Sequence, residues 1–197
     1  MTGHGPAFFV SSIIRIGKER VSFLNPISDH LSENLDLIFV GFNPSIRSAE
    51  TGHHFANPNN RFWKILYESG LTPEKFDAKE DYRLLELGYG LTNIVSRPTK
   101  AADEITKEEY QKGREELKKK ISFYKPTMVC YVGKGVYQEF SCKKSLPWGK
   151  QMESVIPGII DFVAPSSSGL VRMKLEEVLA IYREIPLLLR EVKNGEK

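Results

Sequence analysis

The sequence predicts a single α/β domain built on a short, mainly parallel sheet. Three apolar runs of strand length, at 35–40, 127–132 and 159–164, alternate along the chain with segments of helical periodicity. Alternation of this kind is typical of parallel sheets, because the crossover between two parallel strands usually contains a helix. The 197 residues are enough for one domain with a buried core.

Composition excludes several classes of protein. The chain is 41% hydrophobic and 27% charged, which is typical of globular domains and not of disordered chains. No apolar run reaches the ~20 residues of a membrane span, and no basic segment precedes the first apolar residues as in a secretory signal. The two cysteines, Cys130 and Cys142, form no CxxC or Cys/His pattern. We therefore expect a cytoplasmic protein, and its net charge of +3 permits nucleic-acid binding without requiring it.

The N-terminal region carries the weakest pattern. Residues 1–34 show no clear period, and a short strand pair between Phe8 and Phe23 is the one element they suggest. We therefore treat 1–35 as an N-terminal extension of unknown role. The apolar run 35–40 ends at Gly41, as expected for a buried parallel strand.

Helical patterns follow the first strand. The apolar residues of 62–69 share one helical face, and Gly70 supplies a C-terminal stop. Residues 81–87 have the length of another short helix. Thr106 and Glu109 have the spacing of a capping box at the start of a longer amphipathic helix.

The second half of the chain completes the alternation. Beyond the long helix the patterns predict a strand, a helix, a strand and a last helix, over 127–132, 136–140, 159–164 and 175–182. Pro126 ends the long helix, and Pro186 halts or kinks the last one. We place the main domain at 36–190 and expect 191–197 to form a disordered tail.

Two segments occupy the place where ligands bind in such folds, beyond the carboxyl ends of the strands. The first is 41–45, in which Pro44 restricts the backbone just after Asn43 and so holds the asparagine at the rim of the sheet. The second is 165–172, whose small residues leave backbone N–H groups free to contact a phosphate. Either segment alone is as consistent with an ordinary turn or helix cap.

Considered together with intervening motifs, these segments resemble those of the mismatch-specific uracil/thymine DNA glycosylases. The similar segments are Gly41-Phe-Asn-Pro-Ser45, Thr51-Gly-His-His-Phe55, Pro58-Asn-Asn-Arg-Phe-Trp-Lys64, Gly90-Leu-Thr-Asn-Ile-Val-Ser-Arg-Pro-Thr99 and the loop 165–172. The resemblance extends from about residue 36 to 185, in the expected order. It implies a three-layer α/β/α fold of the uracil-DNA glycosylase type with a short, mainly parallel central sheet.

The resemblance also implies an activity. Such an enzyme flips uracil out of mismatched double-stranded DNA, preferentially from G·U pairs, and hydrolyses its N-glycosidic bond to leave an abasic site. It acts as a monofunctional DNA repair glycosylase, and we expect a monomer that needs no metal and no cofactor. Thymine, etheno-cytosine and deaminated purines such as xanthine and hypoxanthine remain open as further substrates.

The resemblance assigns roles to individual residues. Asn43 positions the attacking water, which an amide can orient but cannot deprotonate. The base-binding residues are Phe42, Ser45, Phe55 and Asn93. The DNA-binding wedge segment, in which Leu170 fills the gap left in the stack, comprises Ser166, Ser167, Ser168, Gly169, Leu170, Val171 and Arg172.

Departures from the family pattern leave alternatives open. Ser45 stands where the family commonly has glycine. The position of Asn93 is occupied by lysine in one branch of the family and by asparagine in another. A DNA-binding module that senses lesions without cleaving would fit the same strand ends. So would a small-molecule α/β protein that binds a nucleotide or a phosphate ester. We expect His53 and His54 to be solvated loop residues. A phosphate-facing edge formed by lysines is a weaker prediction, for Lys134, Lys143, Lys144 and Lys150.

Overall fold

Four parallel strands and one short antiparallel strand form the central sheet. The computed structural model describes residues 13–16, 19–22 and 25–195. The strands are β1 (Ile13–Ile16), β2 (Glu19–Ser22), β3 (Leu37–Gly41), β4 (Tyr89–Asn93), β5 (Met128–Val132), β6 (Gly149–Lys150) and β7 (Ile160–Ala164). The central sheet has the order β4-β3-β5-β7-β6, in which β6 is the antiparallel member.

The strands β1 and β2 form a separate antiparallel pair. This pair falls inside the strand pair expected between Phe8 and Phe23, of which residues 8–12, 17–18 and 23 lie outside the described part of the chain.

Six α-helices and two 3₁₀ segments connect the strands in the described part of the chain. The helices are α1 (Ile46–Thr51), α2 (Phe62–Glu68), α3 (Lys107–Tyr124), α4 (Lys134–Ser141), α5 (Leu175–Tyr182) and α6 (Glu184–Lys193), and the 3₁₀ segments are Ala78–Leu87 and Ala102–Glu104. Across the described ranges, none of these helices combines the length and the apolar character that crossing a membrane requires.

The alternation of side chains along each strand divides the core between two faces of the sheet. Leu37 and Phe39 of β3 pack in one buried cluster with residues of α2, α5 and α6. Ile38 and Val40 pack in a second cluster with residues of α3 and α4. Helices therefore cover both faces, and the predicted three-layer α/β/α fold is confirmed. Each such large apolar side chain contributes roughly 1.5–3 kcal/mol by its burial.

Local signals for two helices are confirmed. Helix α2 is followed by Gly70, whose φ of 77° is the left-handed conformation that glycine adopts readily. At the start of α3, the Thr106 hydroxyl accepts a hydrogen bond from the Glu109 N–H at 3.2 Å. The Glu109 carboxylate accepts one from the Thr106 N–H at 2.9 Å, which completes the capping box.

Other boundaries differ from the sequence expectation. Strand β3 begins at Leu37 instead of residue 35, and the helix expected at 81–87 is a 3₁₀ segment that begins at Ala78. The sequence predicts neither β4 nor β6. The polar residues and the glycine of β4 obscure a strand pattern, and β6 is only two residues long.

Pro186 breaks the last helix before its own position. Its ring lacks an N–H and clashes with the carbonyl four residues earlier, that of Tyr182, so α5 ends there and α6 begins at Glu184. Helix α6 then continues to Lys193, where the lysine ammonium lies 2.6 Å from the Asp36 carboxylate. Helical structure thus extends three residues into the segment expected to be a tail.

Part of the expected N-terminal extension packs on the sheet. His30 and Leu91 of β4 exchange both backbone hydrogen bonds, at 3.0 and 2.9 Å, and form an isolated antiparallel bridge. Ile27 and Leu35, on either side of this bridge, are buried. Residues 27–35 therefore cover the outer edge of β4.

Candidate active site

A cavity of about 770 Å³ opens at the carboxyl ends of the four parallel strands. Gly41, Asn93 and Val132 line it from the ends of β3, β4 and β5, and 166–170 line it beyond β7. The strand order of the sheet reverses at β3, which has β4 on one side and β5 on the other. In open parallel sheets such a reversal is the usual position of a binding site.

The Asn43 side chain is anchored through its amide nitrogen. Nδ2 lies 3.2 Å from the Pro44 carbonyl oxygen, 3.0 Å from the Arg97 carbonyl oxygen and 2.8 Å from the Thr99 hydroxyl. Because carbonyl oxygens only accept, they define which end of the amide is nitrogen. The carbonyl oxygen Oδ1 is therefore the group that this side chain has left to offer a ligand in the cavity.

The loop 97–101, here called the anchor loop, supplies two of these contacts. Its Thr99 N–H donates to the Pro44 carbonyl at 3.2 Å, and the Arg97 guanidinium bonds both oxygens of Glu109 on α3. The Arg97 hydrogen bond and the backbone N–H of the capping box lower the pKa of Glu109 to about 2. The anchor loop is thus held to β3 on one side and to α3 on the other.

The Phe55 ring forms an aromatic wall of the cavity. It stacks on Phe62 of α2 with ring centroids 3.8 Å apart and an interplanar angle of 14°. Phe55 has a φ of 52°, a left-handed conformation that costs a non-glycine residue about 1 kcal/mol or more. A methyl group on Gly41 would lie 3.4 Å from the Phe55 ring and 2.6 Å from Asn93 Oδ1. Glycine at position 41 therefore lets Phe55 and Asn93 approach each other at the end of β3.

A buried carboxylate holds the backbone just before Phe55. Asp81 is 1% exposed, and its Oδ2 accepts the His54 N–H at 2.8 Å, while the His53 and His30 rings each lie 3.2 Å from Oδ1. Desolvation by itself raises the pKa of Asp81, but the His54 N–H and the two nearby histidine rings together outweigh it, so the pKa of Asp81 is lowered. Among the described residues no cluster of three or more acidic, His or Cys side chains is arranged to hold a metal ion.

His54 is buried, so the expectation of a solvated loop residue is wrong for this histidine. It is 1% exposed, it lines the cavity, and its Nε2 donates to the Ser28 carbonyl at 3.0 Å. Burial lowers the pKa of His54 to about 4, against smaller opposing effects that include this hydrogen bond. The ring is consequently neutral near pH 7 and does not bring a positive charge to the cavity.

The side chains of Phe42 and Ser45 are both engaged with other residues of the protein. The Phe42 ring packs edge-on against Tyr110, with centroids 6.1 Å apart, and covers Gly135 of α4. The Ser45 hydroxyl caps α1 by accepting the Ser48 N–H at 3.1 Å, and it lies 3.1 Å from the Ser48 hydroxyl. The Ser45 hydroxyl is therefore engaged within the protein.

The loop 166–170, here called the wedge loop, borders the opposite side of the cavity. The Ser167 carbonyl accepts the Arg61 N–H at 2.8 Å, and a methyl group on Gly169 would lie 2.6 Å from the Asn59 carbonyl oxygen. These contacts hold the base of the loop against the segment that leads into α2. Leu170, at the tip, is 92% exposed.

Comparison with known proteins identifies the family. The model of the Uracil DNA glycosylase superfamily matches residues 28–186, which is most of the chain. The chain belongs to the uracil DNA glycosylase superfamily. A solution NMR structure from Methanosarcina acetivorans, provisionally assigned as a uracil DNA glycosylase, matches with 20% identity and a TM-score of 0.53, over 83% of this chain and 98% of that one. At this identity the similarity supports the fold alone.

The uracil DNA glycosylase fold brings most of the expected site residues to one cavity. Its lining includes the expected catalytic and base-binding residues Asn43, Phe42, Ser45, Phe55 and Asn93 and the wedge-loop residues Ser166, Ser167, Ser168, Gly169 and Leu170. Val171 and Arg172 lie beyond this lining. Among the lysines expected at a phosphate-facing edge, Lys134 lies over the Trp148 ring at 4.3 Å, and the others are exposed.

Sequence reasoning missed three parts of this site. Thr99 ends a segment that carries the resemblance, but nothing in its pattern indicates a contact with Asn43. Asp81 was part of a presumed helix, and a single aspartate gives no signal of its histidine neighbours. Ile27, in the expected extension, lines the cavity and is 9% exposed. Its apolar side chain could have suggested burial, but not a position in the site.

Proposed function

We propose that this protein is a DNA repair glycosylase that excises uracil from double-stranded DNA, with a preference for uracil opposite guanine. The superfamily match supports a hydrolase that acts on DNA. The observation that carries the proposal is the Asn43 amide, whose nitrogen is anchored at 2.8–3.2 Å while its carbonyl oxygen remains available in the cavity. In this proposal that oxygen orients the water that attacks the sugar.

The target nucleotide must leave the duplex to reach such a cavity. Flipping costs a few kcal/mol of unpairing and unstacking, and it costs least for a mismatched base. A G·U pair is therefore opened more easily than an A·U pair before any contact with the cavity forms. In this proposal Leu170 enters the vacated position in the stack, where an apolar side chain replaces the lost contacts.

The cavity then holds the base by one face and one edge. The base stacks on Phe55, which is itself supported by Phe62, and stacking on an aromatic ring contributes ~1–3 kcal/mol per base. The Asn93 amide offers both a donor and an acceptor to the polar edge of the base. Backbone N–H groups near Phe42 and Ser45 are candidates for further donors to the same edge.

Hydrolysis forms one bond and breaks another at the sugar carbon C1′. The water oxygen bonds to C1′, the bond from C1′ to the base nitrogen breaks, and the electron pair leaves with the base. Positive charge develops on the sugar and negative charge on the base, by analogy with glycoside hydrolysis. N–H donors at the base edge stabilise this negative charge. Asn43 Oδ1 accepts one hydrogen of the water, and the proton passes to solvent or to the departing base because an amide cannot retain it.

The test uses end-labelled duplexes that contain one G·U, G·T or A·U pair, with alkali treatment to break the strand at abasic sites. We expect cleavage at G·U by the wild type and a loss on the order of 100-fold in Asn43→Ala, because the water is no longer oriented. Asn194→Ala, at the end of α6, serves as the matched control and should cleave like the wild type.

Other outcomes would change the proposal in defined ways. Equal cleavage of A·U and G·U would show that contacts in the cavity, and not the instability of the mismatch, select the base. Tight binding of the G·U duplex without strand breaks would contradict a glycosylase and favour a protein that senses mismatches without cleaving them.

A further inference from the structure

The amide of Asn43 has more acceptors around its nitrogen than hydrogens to donate. Nδ2 carries two hydrogens, yet three oxygens lie within 3.2 Å of it, those of Pro44, Arg97 and Thr99. The Thr99 hydroxyl is the nearest, at 2.8 Å, and it is the one side-chain partner of the three. The other two are backbone carbonyls, which a side-chain substitution does not remove.

The Thr99 hydroxyl has its own hydrogen committed elsewhere. It donates to the Ala101 carbonyl at 2.7 Å, so its oxygen can only accept from Asn43. The polarity of this chain of hydrogen bonds therefore runs in one direction, from Asn43 through Thr99 to Ala101. If the Asn43 amide rotated by half a turn, Oδ1 would face an oxygen that has no hydrogen to give.

From this geometry we infer that Thr99 is a positioning residue: together with the Pro44 and Arg97 carbonyls, it keeps the Asn43 carbonyl oxygen, and not its nitrogen, directed at the reacting water. The inference rests on the proposed function, because it concerns the water that attacks the sugar. Thr99 lines the cavity, but in this inference it serves neither as an acid nor as a base and acts through the Asn43 amide.

The surroundings of Thr99 suit this role. Thr99 is 3% exposed, and this burial shields the hydrogen bond from solvent. Thr99 pairs with Ser45 as an isolated parallel bridge, so its backbone is in register with the segment that carries Asn43. The ion pair between Arg97 and Glu109 holds the same loop against α3. These contacts position the hydroxyl before any DNA is bound.

The experiment compares Thr99→Val, which keeps the shape and removes the hydroxyl, with Thr99→Ser, which keeps the hydroxyl. Single-turnover cleavage of a G·U duplex should slow roughly 10-fold in Thr99→Val, because one hydrogen bond that orients the amide is lost. Thr99→Ser should recover most of the rate, and the Kd for the duplex should change little in either variant. Thr72→Val is the matched control, because the buried Thr72 hydroxyl has no hydrogen-bond partner among the described residues.

A double-mutant cycle separates positioning from packing. In the Asn43→Ala background, Thr99→Val should have almost no further effect, because the group it orients is absent. An unchanged rate in Thr99→Val, an equal loss in Thr99→Ser, or additive effects in the cycle would each overturn the inference. A loss of duplex binding that matches the loss of rate would do the same. Should Thr99→Val not fold, Thr99→Cys takes its place, since a thiol is a weak hydrogen-bond partner.

The failure of this inference is distinct from that of the proposed function. A wild type that never cleaves DNA would contradict the glycosylase itself. A wild type that cleaves G·U while Thr99→Val cleaves equally fast would leave the glycosylase intact and remove Thr99 from its mechanism.

Discussion

The two sides of the cavity are built in contrasting ways. On one side, the Asn43 amide donates to the Thr99 hydroxyl. The Phe55 ring stacks on Phe62, and the N–H of the preceding His54 donates to Asp81. On the other side, the wedge loop is fixed at its base by the Ser167 carbonyl, while Leu170 projects 92% exposed into solvent.

Under the proposed function, this difference predicts a division of tasks. Groups that act on the reacting atoms need to be in place before the substrate arrives, because reorganisation during the reaction raises the barrier. A side chain that enters the base stack gains its contacts only when DNA is present. The anchored side should therefore respond to substitution in the rate of base removal, and the wedge loop in the handling of duplex DNA.

The largest effect is expected from a substitution at Gly41, on the side of the cavity that holds Asn43 and Phe55. Gly41→Ala places a methyl group 2.6 Å from Asn93 Oδ1 and 3.4 Å from Phe55, so the Asn93 amide must leave the position from which it would face the base. We expect single-turnover cleavage of G·U to fall on the order of 100-fold, with little loss of stability. The double variant with Asn93→Ala is the control: if the clash is the cause, it should be no slower than Asn93→Ala alone.

A second, smaller effect concerns stability on the same side. The pKa of His54 is lowered by burial from 6.5 to about 4. Between pH 7 and 5 this histidine therefore binds a proton in the unfolded chain but not in the folded protein. The free energy of unfolding should therefore decrease by about 2 kcal/mol as the pH falls from 7 to 5. Urea denaturation at both pH values measures this change. His54→Gln, which keeps an N–H donor and has no titrating ring, should lose most of the pH dependence, and an unaltered dependence would contradict this account.

The smallest effect tests the wedge loop. Leu170→Ala should slow cleavage of a G·U duplex about 10-fold, because a smaller side chain fills the vacated stack less well. Cleavage of the same uracil in a single strand should be nearly unchanged, since no paired stack has to be replaced. Stability should also be unchanged, as Leu170 is 92% exposed. Leu187→Ala, another exposed apolar residue, is the control, and an equal loss on both substrates would argue against a wedge.

Much of the fold was accessible from the sequence because its signals are local. The buried strands β3, β5 and β7 are continuous apolar runs, and the capping box and Gly70 mark helix ends by short-range hydrogen bonds and backbone conformation. Strand β4 was not accessible in this way. Its stability comes from pairing with β3 and from the bridge to His30, and these are contacts between distant parts of the chain.

The same distinction applies to the candidate site. The segment that carries Asn43 was visible as a turn after a strand, and Phe55 and Leu170 were found through the resemblance. What holds them was not visible: Thr99 is 56 residues from Asn43, and Asp81 is 27 residues from His54. Neither spacing has a local period, so only the folded chain reveals which polar side chains meet. The roles of the individual site residues stay predictions.

The two edges of the central sheet affect whether copies of this protein can pair through their strands. An exposed outer strand presents a row of unpaired N–H and C=O groups that can pair with another molecule. In the described part of the chain, His30 pairs with one residue of β4 on one border, and the two-residue β6 lies against β7 on the other. Both flanking segments pair antiparallel with the sheet, and both are too short for a strand of another molecule to pair with them. Among the described residues, the central sheet therefore offers a second copy of the protein little free backbone with which to extend it.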